Sequence, residues 1–346
     1  MMEEQALLVG YSWRLARMKD VNEMKFRRKV KPGKNEHRWG LILSGGEGIR
    51  LQPFITKLYG MKRAKQYCSI VGNRSMLHHT LDRMKLLIPF RQILTIVGHD
   101  GLEFVKKQLK DQPIETIIVQ PCRRETAVGI LLPLLHIDRH DPQALVTIFP
   151  SDQFILEENK FMRHIENAFR HLGNSEHSII LLGILPSHAE AEYGWIEKGE
   201  VISCTQNTKM YRVDRFWEKP DRLTAESLFH KKCLWNSFVM VSSVKTLLMQ
   251  FQKLMPEVFD QLSNTVSLYN PVERESILNE IYPSLPSVNF SKTILENCTD
   301  QLCVLEISDI YWSDWGSESR ILRDVERLNL TLHAYDVPVL SQQPTG

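Results

Sequence analysis

Two lone aspartates, a glycine-rich turn and a few cationic side chains are the residues here whose types suit chemistry on phosphates. Ser44-Gly45-Gly46-Glu47-Gly48-Ile49-Arg50-Leu51 follows directly on an apolar run. Glycines there let backbone N–H groups approach a phosphate or a base without a side chain in the way. An arginine closing such a turn can grip phosphate oxygens with two parallel hydrogen bonds. No Gly-Lys-Ser/Thr follows, and the glycine spacing is not that of a dinucleotide fingerprint. Lys65-Gln66 lies further on, in a basic stretch with Lys62 and Arg63. Pro150-Ser151-Asp152 ends an almost wholly apolar run, where an aspartate suits a hard cation such as Mg²⁺. Trp312-Ser313-Asp314-Trp315-Gly316 offers a second such carboxylate. Glu218-Lys219-Pro220 pairs an acceptor for hydroxyls with a cation for a phosphate, and Trp235-Asn236-Ser237 adds an amide. Taken singly, each motif also has a plain structural reading, as a strand–helix turn, a helix cap, a surface ion pair or a bend.

The elements that must position these residues form a regular alternation. Residues 39–44, 91–98, 114–119, 144–149 and 178–183 are short runs rich in Ile, Leu and Val, and read as strands. Residues 76–87, 102–109, 126–136 and 161–171 between them carry helical periodicity. That alternation predicts βαβ units and a doubly wound, mostly parallel, Rossmann-like α/β sheet flanked by helices. In such sheets ligands bind beyond the carboxyl ends of the strands, where the glycine turn and Asp152 fall. Beyond Pro186 the rhythm shifts. Residues 193–197, 210–218 and 234–241 read as strands, the first two forming a small antiparallel excursion. Residues 244–254, 273–281 and 317–328 read as helices.

The chain has 346 residues, 43% hydrophobic and 24% charged, which is ordinary for a globular protein. Its formal net charge is +2, but unevenly spread. Residues 1–38 hold 10 Lys/Arg against 5 Asp/Glu, and the rest holds 33 against 36. So neutral a body argues against nucleic acid as a partner. Residues 1–38 read as a basic extension, 39–330 as the catalytic domain and 331–346 as a tail. No apolar run approaches the roughly 20 residues that span a bilayer. The six cysteines include no CxxC and no zinc-ligand spacing, so a reducing cytoplasm is expected.

In set and order these motifs resemble the sugar-phosphate nucleotidyltransferase family, over residues 39–328. The family's Gly-Gly-x-Gly-x-Arg-Leu, Lys-Gln, Pro-Ser-Asp, Tyr-Gly-aromatic-Ile, Glu-Lys-Pro, Trp-Asn-Ser and Trp-x-Asp-x-Gly all occur in sequence. The resemblance is nearest to the guanylyl branch. It implies Mg²⁺-dependent transfer of GMP from GTP to mannose 1-phosphate, with release of pyrophosphate. Ser44, Gly45, Gly46, Gly48 and Thr126 would face the nucleotide. Arg50 and Lys65 would hold the triphosphate and steady the departing pyrophosphate. Asp152 and Asp314 would hold Mg²⁺. Gly194, Glu218 and Asn236 would face the sugar, and Lys219 its phosphate. A homodimer is a candidate assembly. Another nucleotide and hexose 1-phosphate pair, or a regulatory homologue that binds a nucleotide sugar without catalysis, are the alternatives.

The chain departs from the family pattern at several positions. Ile49 replaces Thr, Ala64 replaces Pro, and Glu125 replaces Asn in Arg123-Arg124-Glu125-Thr126-Ala127. Glu192 and Phe238 stand where glycines are usual, and Asn289 ends a Ser-x-Asp motif. These changes bear on the sugar and, less strongly, on the base.

Overall fold

The structure, a computed structural model, describes residues 37–172, 178–205 and 208–332. Most of the basic extension and of the tail lies outside the described residues. In chain order the strands are β1 (Arg38–Ser44), β2 (Ile93–Gly98), β3 (Ile117–Gln120), β4 (Leu145–Pro150), β5 (Phe154–Ile155), β6 (Ile179–Ile184), β7 (Trp195–Thr205), β8 (Thr208–Trp217), β9 (Leu234–Ser243), β10 (Leu302–Ile307) and β11 (Trp312–Ser313). The helices are α1 (Gln52–Tyr59), α2 (Met76–Lys85), α3 (Leu102–Gln108), α4 (Glu125–His140), α5 (Glu158–Leu172), α6 (Arg222–His230), α7 (Val244–Leu254), α8 (Pro256–Ser267), α9 (Pro271–Ile281), α10 (Phe290–Thr293) and α11 (Glu318–Arg327).

Nine strands form one sheet in the order β3-β2-β1-β4-β9-β6-β10-β8-β7. The β3-β2-β1-β4 half is parallel throughout, as the apolar runs predict for strands buried on both faces. Within it, alternate residues point to opposite faces. Leu41, Val146 and Ile148 pack under α4, α7 and α8, while Ile42, Val97 and Phe149 pack under α2, α3 and α5. The β7–β8 hairpin is antiparallel, as expected, but it continues the central sheet rather than standing beside it. β7 also pairs back onto β9 through Trp195↔Trp235 and Ile196↔Leu234. This curls the second half into a ring of β9, β6, β10, β8 and β7.

Several elements lie outside the sequence expectation. α1 falls where the periodicity predicts no helix; Pro53 in its first turn and left-handed Gly60 at its end are its sequence marks. The same holds for α6, α8 and β10. Residues 114–116, expected to open a strand, form a single 3-10 turn before β3. β1 begins at Arg38, the last residue of the expected extension. Its buried guanidinium pairs with Glu166 at 2.5 Å and stacks on Phe169. A third apolar cluster, built from Leu51, Phe54, Ile55, Ile70, Trp315 and Ile321, packs α1 against α11. It fixes the stretch around Lys65 against the turn that carries Asp314. Among the described residues no helix is long and apolar enough to cross a membrane.

Candidate active site

The carboxyl ends of β1 and β4 and Phe238 in the middle of β9 open onto one cavity of about 430 Å³. Gly45, Gly46 and Glu47 line one side, Ser151 and Asp152 another, and Arg123, Arg124, Glu125 and Thr126 a third. This is the size of an ordinary small-molecule site. Gln66 fixes the glycine turn, donating to the carbonyls of Ser44 at 3.1 Å and Gly46 at 2.7 Å. Gly48 takes φ +61° against the backbone of Lys65, a conformation in which a Cβ is strained. Ser44 belongs to the frame of this site rather than its lining. It is 1% exposed, and its hydroxyl and carbonyl both meet the Tyr67 hydroxyl. Thr126 lines the cavity while its hydroxyl accepts the Phe290 N–H at 2.8 Å.

Lys65 is the hub. It is 5% exposed, and its Nζ lies 2.9 Å from Asp152 Oδ2 and 2.5 Å from the carbonyl of Asp314. Two aspartates 162 positions apart in sequence are thus gathered around one ammonium. Gln153, next to Asp152, ties that turn to the Trp-Asn-Ser and Trp-x-Asp-x-Gly motifs. Its amide donates to the Ser237 carbonyl, and its oxygen accepts from Trp312 Nε1 at 3.1 Å.

Asp314 sits half-buried. Its Oδ1 receives the Tyr193 hydroxyl at 2.8 Å, the Gly316 N–H at 3.0 Å and an Arg320 guanidinium N–H. Burial opposes its charge, but Arg320 first and then Lys65 outweigh burial and hold the carboxyl below the ordinary aspartate range. The donor set suits a hard divalent ion. Among the described residues no group of three or more His, Cys, Asp or Glu is placed to hold a metal ion, so an ion here would take two carboxylates and fill its shell with water and phosphate oxygens. That is the preference of Mg²⁺.

The residues expected to face a sugar also come together. A Cβ on Gly194 would lie 3.2 Å from Asn236 Cβ and 3.2 Å from Glu218 Oε2, so any side chain there would crowd both. The Gly194 carbonyl accepts the Asn236 N–H at 2.8 Å. Burial raises the Glu218 carboxyl above its usual range, against the opposing charge of Lys219. Arg50 is not on the cavity wall. It is more than half exposed and pairs with Glu192, two residues before Gly194. The turn after β1 and the segment before β7 are thereby joined.

Backbone geometry accounts for several departures from the family pattern. Phe238 takes φ +60°, which a glycine adopts freely and a phenylalanine only at a cost of about 1–2 kcal/mol. Its ring lines the cavity and packs edge-on to Phe290 at 6.1 Å. Glu125 takes φ +54°, a region that asparagine tolerates better. Ala64 keeps φ −71°, the value a proline ring imposes. Asn289 caps α10 through the Lys292 N–H at 3.0 Å, as an aspartate would. Ile49 is 67% exposed.

Tyr193, Gln153, Gln120 and Arg320 escape the motif reading, although Tyr193 opens one of the family motifs. Gln120 lines the cavity and accepts from the Tyr282 hydroxyl at 2.9 Å. Arg320 carries no local signal, since its partners lie up to 130 positions away.

A family model described as nucleotidyl transferase matches residues 39–328. Mannose-1-phosphate guanylyltransferase 2 of Escherichia coli O157:H7 is 30% identical over 286 residues, 80% of this chain and 58% of its own length. Mannose-1-phosphate guanylyltransferase RfbM of Salmonella typhimurium is 31% identical over 290 residues, covering 81% and 57%. The chain thus spans somewhat over half the length of the curated relatives it matches. The crystal structure of mannose-1-phosphate geranyltransferase from Thermus thermophilus superposes with a TM-score of 0.71 over 90% of this chain and 81% of that one. At 21% identity, this likeness shows a shared fold.

Proposed function

The chain belongs to the nucleotidyl transferase family, and from that premise we propose that it transfers GMP from GTP to mannose 1-phosphate, releasing pyrophosphate. A phosphate oxygen of the sugar phosphate attacks the α-phosphorus in line with the leaving pyrophosphate. The observation that carries this reading is Lys65, which joins Asp152 of the cavity wall to Asp314. The sugar phosphate is already ionised at neutral pH, so the reaction needs no side-chain nucleophile and no general base. What it needs is alignment and neutralisation of two polyanions.

Each residue then has a task. Gly45, Gly46 and Thr126 line the nucleotide's compartment. Lys65 moves from Asp152 to the phosphates, and Arg50 leaves Glu192 to meet the leaving group. Asp152 and Asp314 would hold Mg²⁺, which when bound supplies positive charge to phosphate oxygens. Glu218 and Asn236 orient the sugar hydroxyls, and Lys219 its phosphate. Gly194 leaves the sugar ring room. The six cysteines are unpaired, which suits the reducing cytoplasm in which we place the protein.

Pyrophosphate release in the presence of Mg²⁺, over a grid of five nucleoside triphosphates and several hexose 1-phosphates, tests the assignment. The reading predicts one dominant signal, at GTP with mannose 1-phosphate. A dominant signal elsewhere keeps the chemistry and replaces the substrates. Silence across the grid with folded protein overturns the enzyme reading and favours a regulatory binding protein.

A further inference from the structure

Arg320 forms an ion pair with the Asp314 carboxylate. Ser317 caps α11, and Arg320 sits in its first turn, its N–H on the Ser317 hydroxyl at 3.3 Å. The guanidinium is 16% exposed and covers the Tyr193 ring at 4.9 Å. Nη1 donates to Asp314 Oδ1 and, at 2.8 Å, to the Tyr193 hydroxyl; Nη2 donates to Glu190 Oε2 at 2.6 Å. Oδ1 of Asp314 is saturated by Nη1 of Arg320, by Tyr193 and by Gly316, and Oδ2 receives no hydrogen bond from them.

The charges around the aspartate pair come close to balance. Asp152 and Asp314 face the cations Lys65 and Arg320, and Glu190 lies behind Arg320. A divalent ion arriving alone meets carboxylates whose attraction two resident cations have largely cancelled. A triphosphate brings the missing negative charge and gives Lys65 another partner. We propose that Arg320 is a positioning residue and built-in countercharge for the metal carboxylate. It fixes one oxygen of Asp314, leaves the other for the ion, and keeps affinity for the free ion low, so that the ion is held firmly only together with nucleotide. Glu190 sets the strength of this device by competing for the same guanidinium. The proposal rests on the reading of Asp314 as a metal ligand.

The test is Mn²⁺ binding to the whole, nucleotide-free protein, followed by the free-ion electron paramagnetic resonance signal. Thermal melting is recorded for each variant. Removing a unit charge beside the ion's ligand should tighten binding, so Arg320→Gln is expected to bind Mn²⁺ about five-fold more tightly or better. Arg320→Lys keeps the charge and should stay within about two-fold of the parent. Glu190→Gln should move the opposite way, weakening Mn²⁺ binding about two-fold or more, and it serves alone should Arg320→Gln not fold. A purely structural arginine gives a lower melting temperature with unchanged Mn²⁺ affinity. That result overturns the proposal, as does weaker binding in Arg320→Gln or unchanged binding in Glu190→Gln. Asp314→Asn separates the two layers. Loss of Mn²⁺ binding there upholds the ligand assignment, whereas unchanged binding removes the assignment and this proposal together.

Discussion

Lys65→Met keeps an unbranched apolar side chain, one atom shorter, and removes the ammonium with its charge and its donors. Three contacts go with it: Asp152 Oδ2 at 2.9 Å, the Asp314 carbonyl at 2.5 Å and the Trp315 carbonyl at 3.4 Å. At 2.9 Å and an effective dielectric constant of about 20, the ion pair alone is worth about 6 kcal/mol before desolvation. Most of that is returned, because Asp152 is 38% exposed and rehydrates, and because the methionine spares the cost of burying an ammonium. What remains is the loss of the two carbonyl partners and some of the pair, about 2–3 kcal/mol. For a domain of this size that lowers Tm by about 3–5 °C. The variant should therefore fold and melt early. Its kcat should fall by about 10²–10³, the usual effect of removing one group that stabilises transition-state charge. Circular dichroism melting and steady-state pyrophosphate release measure the two effects on one preparation. A folded Lys65→Met with turnover within about three-fold of the parent refutes the hub role of Lys65, since so small a loss lies far outside the range for a group that meets the transition-state charge.

Lys219→Ala should raise KM for the sugar phosphate more than KM for the nucleotide; initial-rate kinetics showing the reverse would move Lys219 to the nucleotide side. Phe238→Gly trades relief of a strained φ against loss of a ring, and should change stability by no more than about 1–2 kcal/mol, measured by urea unfolding. A loss of the roughly 3–5 kcal/mol typical of removing a core phenylalanine would show the ring to be core rather than cavity wall. Glu218 has its folded-state pKa raised by burial from the ordinary 4.5. The native state then binds more protons than the unfolded state just above that value, and stability falls as pH rises through the window. Glu218→Gln should abolish that slope, and a melting series in which parent and variant run parallel would contradict it.

Much of this molecule is legible in its sequence, for physical reasons. Strands buried on both faces must be apolar, so β1, β2, β4 and β6 stand out as Ile, Leu and Val runs. Chemistry on phosphates needs glycine, aspartate and cations at strand ends, so the turn at Gly45, Asp152 and Asp314 is visible too. α1 is short and sits in a stretch whose lysines and glycine read as loop. β10 offers only six residues, with no glycine or proline in the five before it. The closure of β7 onto β9 depends on Trp195 meeting Trp235, and side-chain periodicity carries no information about which strand edge meets which. Gln153 and Arg320 are ordinary polar residues on local evidence, and only folding brings them to Ser237, Trp312, Asp314 and Glu190. The left-handed backbone at Phe238 and Glu125 is hidden for the opposite reason, since the residues that would advertise it have been replaced.

The most direct test of the central claim is the fate of the phosphates of GTP. The protein is incubated with mannose 1-phosphate, Mg²⁺ and GTP labelled at either the α or the γ position. Nucleotidyl transfer predicts α label in a nucleotide sugar and γ label in pyrophosphate, in equal amounts. Label from the γ position in inorganic phosphate or on the sugar, with no nucleotide sugar formed, would contradict attack at the α-phosphorus and the account built on it.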